Sequence, residues 1–434
     1  MSAALKRCYH QSGLLYKRAL QTIPLASQTF SKSTVFYPEC AAPLFIQRGA
    51  GSRVWDVDGN EYIDFVNGLG AVLIGYNDEQ VNEAVCKQLQ NGVTFTLPHP
   101  LEAKVAEMLV KMIPSAEMVR FGKNGSDVTS AAVRLARAFT GRDHIAVCGY
   151  HGWQDWYIGS TPRHLGVPDS VRALTHVFTY GNIDSLARIF SAYPNQVAAV
   201  VLEPMPGGCP RQDFLEGMRQ ITYKHGTVLV FDEIVTGFRV AGGGAQEFLG
   251  VTPDLTTLGK GMGNGFPISA IVGRADIMRW MEKIFFSGTF GGETLSLAAA
   301  ESVLQKIICC KVPDVLRQRG ELLMGELKNL LRERHLEEIF QCEGYPAQVR
   351  LSVMDAGGFT SWEIRTLLLQ EIFVRGILTL GTHNLSYAHS DRDIWQLLNV
   401  YGEVLPLVCD AVAKRRLREM LQSAPLKPLF QVRQ

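Results

Sequence analysis

From about residue 115 the chain alternates short apolar runs with amphipathic stretches. "MVRF" is followed by a helical pattern over Ser126 to Phe139, then by "IAVC" and "VAAVV". A helical stretch around Leu215 to His225 comes next, and then "VLVF" and "ISAIVG". Strand-length runs with no polar alternation predict strands buried on both faces. Interleaved with helices, they predict an α/β fold with a mostly parallel sheet. Ahead of this region, "PLFIQRGAGSRVWDVDGNEYIDF" alternates apolar and polar residues and predicts two short strands joined at Asp58-Gly59-Asn60. After about Lys311 the pattern turns to charged helices, with "VRLSV" as a strand and a last helix from about Asp393. The expected organisation is an N-terminal segment (1–75) that contributes to a small α+β domain, a large domain (76–310), and the rest of the small domain (311–434). No repeat or low-complexity tract interrupts it.

Composition narrows the function classes. The 434 residues are 47% hydrophobic and 20% charged, and Lys plus Arg total 43 against 42 for Asp plus Glu. No global field favours nucleic acid or an anionic membrane, and no basic-aromatic cluster suggests a nucleic-acid partner. No apolar run reaches the roughly 18 residues that span a bilayer. The nine cysteines include no C-x-x-C pair and show no metal-ligand spacing with the ten histidines, so a reducing, cytoplasmic setting without a metal is expected. Up to Pro38 there is no acid, while Lys6, Arg7, Lys17, Arg18 and Lys32 are basic. That composition fits either a transit peptide or an amphipathic helix docking Leu5, Leu14, Leu15 and Leu20. The helix is preferred, because little chain precedes the globular pattern.

Three features fall at the ends of the predicted strands, where open α/β folds bind ligands. In "GKNGSDVTSAAVRLARAFTGR", Gly125 and Ser126 open a helix whose N–H groups and dipole suit a phosphate, although for this motif alone a plain Ser or Asn N-cap is the preferred reading. In "VLVFDEIVTGFR", an apolar run ends in Asp232 and Glu233. A carboxylate there is costly unless a cation meets it. A protonated pyridine nitrogen is one such cation; a metal, or a helix N-terminus to cap, are the other readings. In "LTTLGKGMGNGFPISAIVG", Lys260 lies in a glycine-rich turn before a strand, where a lysine of lowered pKa could form a Schiff base with an aldehyde. The glycines precede a strand instead of opening a helix, and no Ser or Thr follows the lysine. Dinucleotide and phosphate-loop motifs are therefore both excluded.

The order of these features, with "GYHGW", "LEPMPGG" and "LGKGMGNGFP", resembles class III (fold type I) aminotransferases. Within that class the similarity is greatest to the glutamate-1-semialdehyde aminomutase group, over about Pro43 to Ala300. The resemblance implies pyridoxal 5′-phosphate (PLP) as cofactor and the fold type I architecture. Lys260 would hold the cofactor and shuttle a proton, and Asp232 would pair with the pyridine nitrogen. Tyr150 would stack on one ring face and Ile234 on the other. Gly125 and Ser126 would bind the phosphate, and Glu203 would stand near the ring. Thr289 would reach the phosphate of a neighbouring subunit, which implies a homodimer.

Other positions depart from the aminomutase pattern. Lys32 stands where an arginine takes the substrate carboxylate, and Leu69 replaces an aromatic residue over the substrate pocket. Glu293 and Thr294 replace a usual Asn-Pro. The amide that meets the cofactor's phenolic oxygen is replaced by Val235, and the aminomutase's substitute asparagine by Gly208. His383 and Asn384, in "LGTHNLSYAH", are further substrate candidates and resemble a branch linked to amino-sugar and surface-polysaccharide synthesis. The resulting expectation is ping-pong transfer from a small-molecule amino donor to a carbonyl acceptor, a keto- or aldehydo-sugar among the candidates. The alternatives are an intramolecular 2,1-aminomutase and a non-catalytic PLP-binding protein; the complete Lys260, Asp232 and Tyr150 set argues against the last.

Overall fold

A computed structural model describes residues 7–207 and 211–428. The chain divides into two compact units. Among the described residues, one contains Ala71–Leu73 and Glu79–Asp314; the other contains residues 7–70, Ile74–Asp78 and residues 315–428.

The larger unit is built on a seven-stranded sheet. Its strands run in the order Met118–Gly122, Ser269–Gly273, Leu255–Leu258, Val228–Asp232, Val197–Leu202, His144–Cys148 and Thr175–Val177. The last five of these pair in parallel, and Ser269–Gly273 runs antiparallel to both of its neighbours. Every residue of Val197–Leu202 and Val228–Asp232 is buried, which is why both read as unbroken apolar runs. The helix Gly125–Thr140 starts at a capping box made by Asn124 and Asp127 and stops at Gly141, whose φ of 66° few other residues adopt readily. Its Val128, Ala132, Leu135 and Ala136 line one stripe and pack with Val147, Val201, Val230 and Ile271 of the sheet. Each such buried Val, Leu or Ile side chain contributes about 1.5–3 kcal/mol.

The other unit joins both ends of the chain. Ile46–Ala50, Arg53–Asp56 and Glu61–Asp64 form an antiparallel meander, and Ile377–Leu378 pairs in parallel with its last strand. The two strands expected here are three, because Gly51, at φ 57°, turns the chain ahead of Arg53. A second sheet holds Phe340–Tyr345, Gln348–Val353 and Thr382–Asn384, and the long final helix is Asp391–Ala413.

Near the N-terminus a helix does form, over His10–Ala19, but its leucines are not what holds it. Leu14 and Leu20 are about half exposed. The helix is tied by polar contacts instead, with the Gln11 and Ser12 N–H groups donating to the two oxygens of Asp58 at 2.7 and 2.9 Å. Leu5 and Lys6 lie outside the described residues. Among the described residues, no helix is long and apolar enough to cross a membrane.

Candidate active site

The carboxyl ends of the parallel strands, with the turn after Gly122 and the start of Ser269–Gly273, surround one cavity of about 320 Å³ in the larger unit. Gly125, Ser126, Tyr150, Glu203, Asp232, Ile234 and Lys260, though scattered along the sequence, all line it. Val235 lines it too.

Asp232 ends its strand almost fully buried, and its carboxylate is held from behind. The Thr257 hydroxyl and the Ile234 N–H donate to Oδ1 at 3.1 and 3.2 Å. His151 Nδ1 lies 2.8 Å from Oδ2, and its Nε2 lies 3.0 Å from the Cys148 carbonyl. Both neighbours of the ring are acceptors, so it serves both at once only with a hydrogen on each nitrogen. His151 and Thr257 are the residues that sequence reasoning missed. The signal for His151 was its place beside Tyr150 in "GYHGW"; Thr257, in "LTTL", gave none.

The adjacent acid does something different. Glu233 is buried, and burial pushes its carboxyl above the usual range, although donors from Ala245, Gln246 and Thr236 pull it back. Those donors fasten the segment after Asp232 to the helix Gly244–Leu249. Of the two acids at this strand end, one faces the cavity and the other is structural.

Lys260 follows Leu255–Leu258 and Gly259, at the first position of a short 3₁₀ turn, Lys260–Gly263. Its φ is 41°, in the left-handed region that side-chain-bearing residues seldom occupy. Gly259 sits in a tight place: a Cβ there would lie 3.0 Å from Ile234 Cδ1, so that side chain would have to shift by a few tenths of an ångström. The turn is also fixed by Asn264, whose side-chain oxygen accepts from the Leu73 N–H at 2.8 Å.

Tyr150 is 43% exposed and packs edge-on against Tyr157, with centroids 5.7 Å apart. Its own N–H donates to Glu203 Oε1 at 2.7 Å, so Glu203 sets the path of the tyrosine backbone. At the other end of the cavity, Gly152 has a φ of 104°, and a Cβ on it would lie 2.3 Å from Ser126 Oγ. Only a glycine leaves that hydroxyl in place at the helix start.

The remaining predicted residues fall elsewhere. Thr289 lines a different cavity of the same unit, about 390 Å³, with Lys123, Arg134 and Phe290. Lys32 and Leu69 belong to the other unit; Lys32 is exposed, and Leu69, at φ 62°, packs partly against the core around Tyr62 and Phe373. His383 and Asn384 lie in the other unit, on the strand Thr382–Asn384. His383 is fully buried, with Nδ1 2.8 Å from the Val349 carbonyl and Nε2 2.6 Å from the Tyr401 hydroxyl. Burial lowers its pKa to about 4. Asn384 donates to the Val66 carbonyl at 3.1 Å and accepts from Gln348 at 2.6 Å. Both are buried, and every side-chain nitrogen and oxygen of the two has a partner within their own unit. Gly208 lies outside the described residues.

The donor set can be tested against PLP. A buried carboxylate, a primary amine, a part-exposed aromatic ring, an aliphatic side chain and a helix start kept open by glycine line one space. These fit a planar ring with a protonated nitrogen, an aldehyde and an anionic arm.

Comparison with known proteins agrees. The class-III aminotransferase family profile matches residues 36–345, and the chain belongs to that family. Glutamate-1-semialdehyde 2,1-aminomutase of Natranaerobius thermophilus is 37% identical over 433 residues, covering 92% of this chain and 98% of that protein. The 3-aminobutyryl-CoA aminotransferase of Cloacimonas acidaminovorans is 32% identical over 401 residues, covering 90% and 95%. Among solved structures, the PLP internal aldimine form of the FumI protein of Sphingopyxis sp. MTA144 matches with a TM-score of 0.86 and 29% identity, covering 95% of this chain and 97% of that one. The protein is thus a PLP-dependent enzyme of fold type I that works on small amino and oxo compounds.

Proposed function

We propose that this enzyme moves an amino group within one small molecule, in the manner of a 2,1-aminomutase. The observation that carries the reading is the meeting of Lys260, Asp232 and the Gly125–Ser126 turn on one cavity. Similarity to an aminomutase over nearly the whole chain supports the particular reaction. When bound, PLP supplies an aldehyde that takes up amino groups and a ring that accepts the electron pair left when a C–H bond breaks.

The chain's own residues do the rest. Lys260 Nζ would hold the cofactor by its aldehyde and, when free, would carry a proton to and from the substrate carbon. Asp232, held by His151 and Thr257, keeps a proton on the ring nitrogen. Tyr150 and Ile234 confine the ring between them, and Glu203 fixes the Tyr150 backbone. Gly125 and Ser126 bind the phosphate. Thr289 serves the phosphate of a second copy in a homodimer. Lys32 takes the substrate carboxylate, as a point charge without the bidentate fork of arginine, and Leu69 borders the substrate.

A second reading, transfer between two molecules, is favoured by the related 3-aminobutyryl-CoA aminotransferase and by the lysine at position 32. The amino-sugar expectation rests on His383 and Asn384, whose side chains bond within their own unit. One experiment separates the two readings. The holoenzyme is given glutamate 1-semialdehyde alone, and separately a panel of amino donors with a carbonyl acceptor. Isomerisation to the δ-amino ketone without release of an oxo acid supports the mutase; stoichiometric oxo-product from a donor supports transfer. If neither substrate set changes the visible spectrum of the holoenzyme, both readings fail.

A further inference from the structure

The cavity around Lys260 has a second lysine in its wall. Lys123 lies in the turn between the strand Met118–Gly122 and the helix Gly125–Thr140, two residues before Gly125. Its backbone is fixed, since the N–H groups of Lys123 and Asn124 both donate to Asp127 Oδ2, at 3.1 and 2.7 Å. Ser269 Oγ donates to the Asn124 carbonyl at 2.9 Å and pins the turn from the neighbouring strand. The Lys123 side chain is only 19% exposed. Its ammonium meets Glu293 Oε2 at 2.9 Å.

Glu293 is itself built in. It caps the helix Thr294–Cys309, accepting from the Leu295 N–H at 2.7 Å and from the Ser296 hydroxyl at 2.6 Å. Partial burial pushes its carboxyl upward, but the Ser296 hydroxyl and the Lys123 ammonium outweigh that and hold it below the usual range. The carboxylate is therefore shared among several donors. Glu293 uses one of the three N–H donors of Lys123 and leaves two for another acceptor.

The charges lining the cavity make such an acceptor an anion. Glu203 and Asp232 are acidic, and a phosphate ester adds roughly −1.5 to −2 at neutral pH. Lys260 would be committed to the cofactor's aldehyde and so would not be available to the phosphate. Among the described residues, Lys123 is the remaining lysine or arginine in the cavity lining, and it stands at the end where Gly125 and Ser126 open their helix. Resting on the PLP reading above, we infer that Lys123 is a phosphate-binding residue of the cofactor cavity, and that Glu293 is a positioning residue that aims it.

The test compares PLP with pyridoxal, which has the same ring and aldehyde but no phosphate. Dissociation constants for both are measured by absorbance on the full-length apoenzyme of the wild type and of Lys123→Met, Lys123→Arg, Glu293→Gln and the Met/Gln double variant. Lys123→Met should weaken PLP by about tenfold or more and leave pyridoxal unchanged, as expected for one lost charge-assisted hydrogen bond. Lys123→Arg should stay close to wild type. Glu293→Gln should weaken PLP less than Lys123→Met, and the double variant no more than Lys123→Met alone, because Glu293 acts through the lysine. Equal losses for PLP and pyridoxal, or no loss for either, would overturn the role of Lys123; additive losses in the double variant would overturn that of Glu293. If Lys123→Met does not fold, Lys123→Gln makes the same comparison. A wild type that binds PLP with the usual visible band while Lys123→Met keeps full affinity sinks this inference alone. A wild type with no PLP affinity sinks the cofactor reading as well.

Discussion

Two buried polar regions invite the same interpretation from sequence, and the fold separates them. At the end of Val228–Asp232, the hydrogen bonds to Asp232 come from His151, Thr257 and Ile234, and the residue still lines an open cavity. At Thr382–Asn384, both ring nitrogens of His383 end on protein atoms, and Asn384 is bonded at its donor and its acceptor. A buried polar side chain becomes a site when its support comes from one side only. It becomes part of the core when its neighbours use every bond it can make.

The largest effect that would break or sharpen this contrast is at Lys260. Lys260→Ala should cost about a thousandfold or more in turnover and remove the visible absorbance of the holoenzyme. A variant that kept wild-type turnover would remove the cavity from consideration. Asp232→Asn should follow at about a hundredfold or more, through loss of a charge aimed at the ring nitrogen, with melting temperature nearly unchanged. His383→Ala should do the opposite. It should destabilise by about 2–4 kcal/mol in denaturant titrations and leave PLP affinity as it was. A PLP or substrate defect without a stability defect would put His383 back at a site.

Acid should find the same division. Burial lowers the pKa of both His383 and His389 to about 4, against about 6.5 when unfolded. The unfolded chain therefore takes up protons first as pH falls. The stability these rings contribute is fully present above about 6.5 and is lost as pH drops from there towards 4. Each histidine should cost about 2 kcal/mol between pH 7 and pH 5, readable as a falling melting temperature that His383→Phe makes shallower. A flat profile over that range would contradict their burial as neutral rings. The smallest effect is expected at Tyr150. Tyr150→Phe should change turnover less than threefold, roughly, while Tyr150→Ala weakens the cofactor several-fold, because the ring face and not the hydroxyl is what it offers.

Much of the larger unit was legible because strands buried on both faces have a plain signature. Val197–Leu202 and Val228–Asp232 needed no partner to be recognised. Leu255–Leu258 was not seen as a strand because Thr256 and Thr257 interrupt it with polar residues. Both threonines are fully buried, with hydroxyls spent on Ser115, Gln246 and Asp232. Thr175–Val177 is a three-residue edge strand, too short for any period to show. In the site, Lys260 and Asp232 could be read because strand ends and glycine turns are local features. The contacts of His151 with Asp232, and of Lys123 with Glu293, join residues 81 and 170 positions apart, and only the fold brings them together. The same holds for His383, whose partners Val349 and Tyr401 lie 34 and 18 positions away.

The left-handed backbone at Lys260 has an evolutionary consequence. A lysine held at φ 41° gives up about 1–2 kcal/mol relative to a glycine in the same place. Drift towards greater thermal robustness would therefore favour Lys260→Gly, an exchange that also abolishes the reactive amine. The turn is a point where durability and turnover are opposed, and the lysine can persist there only under selection for the chemistry it performs.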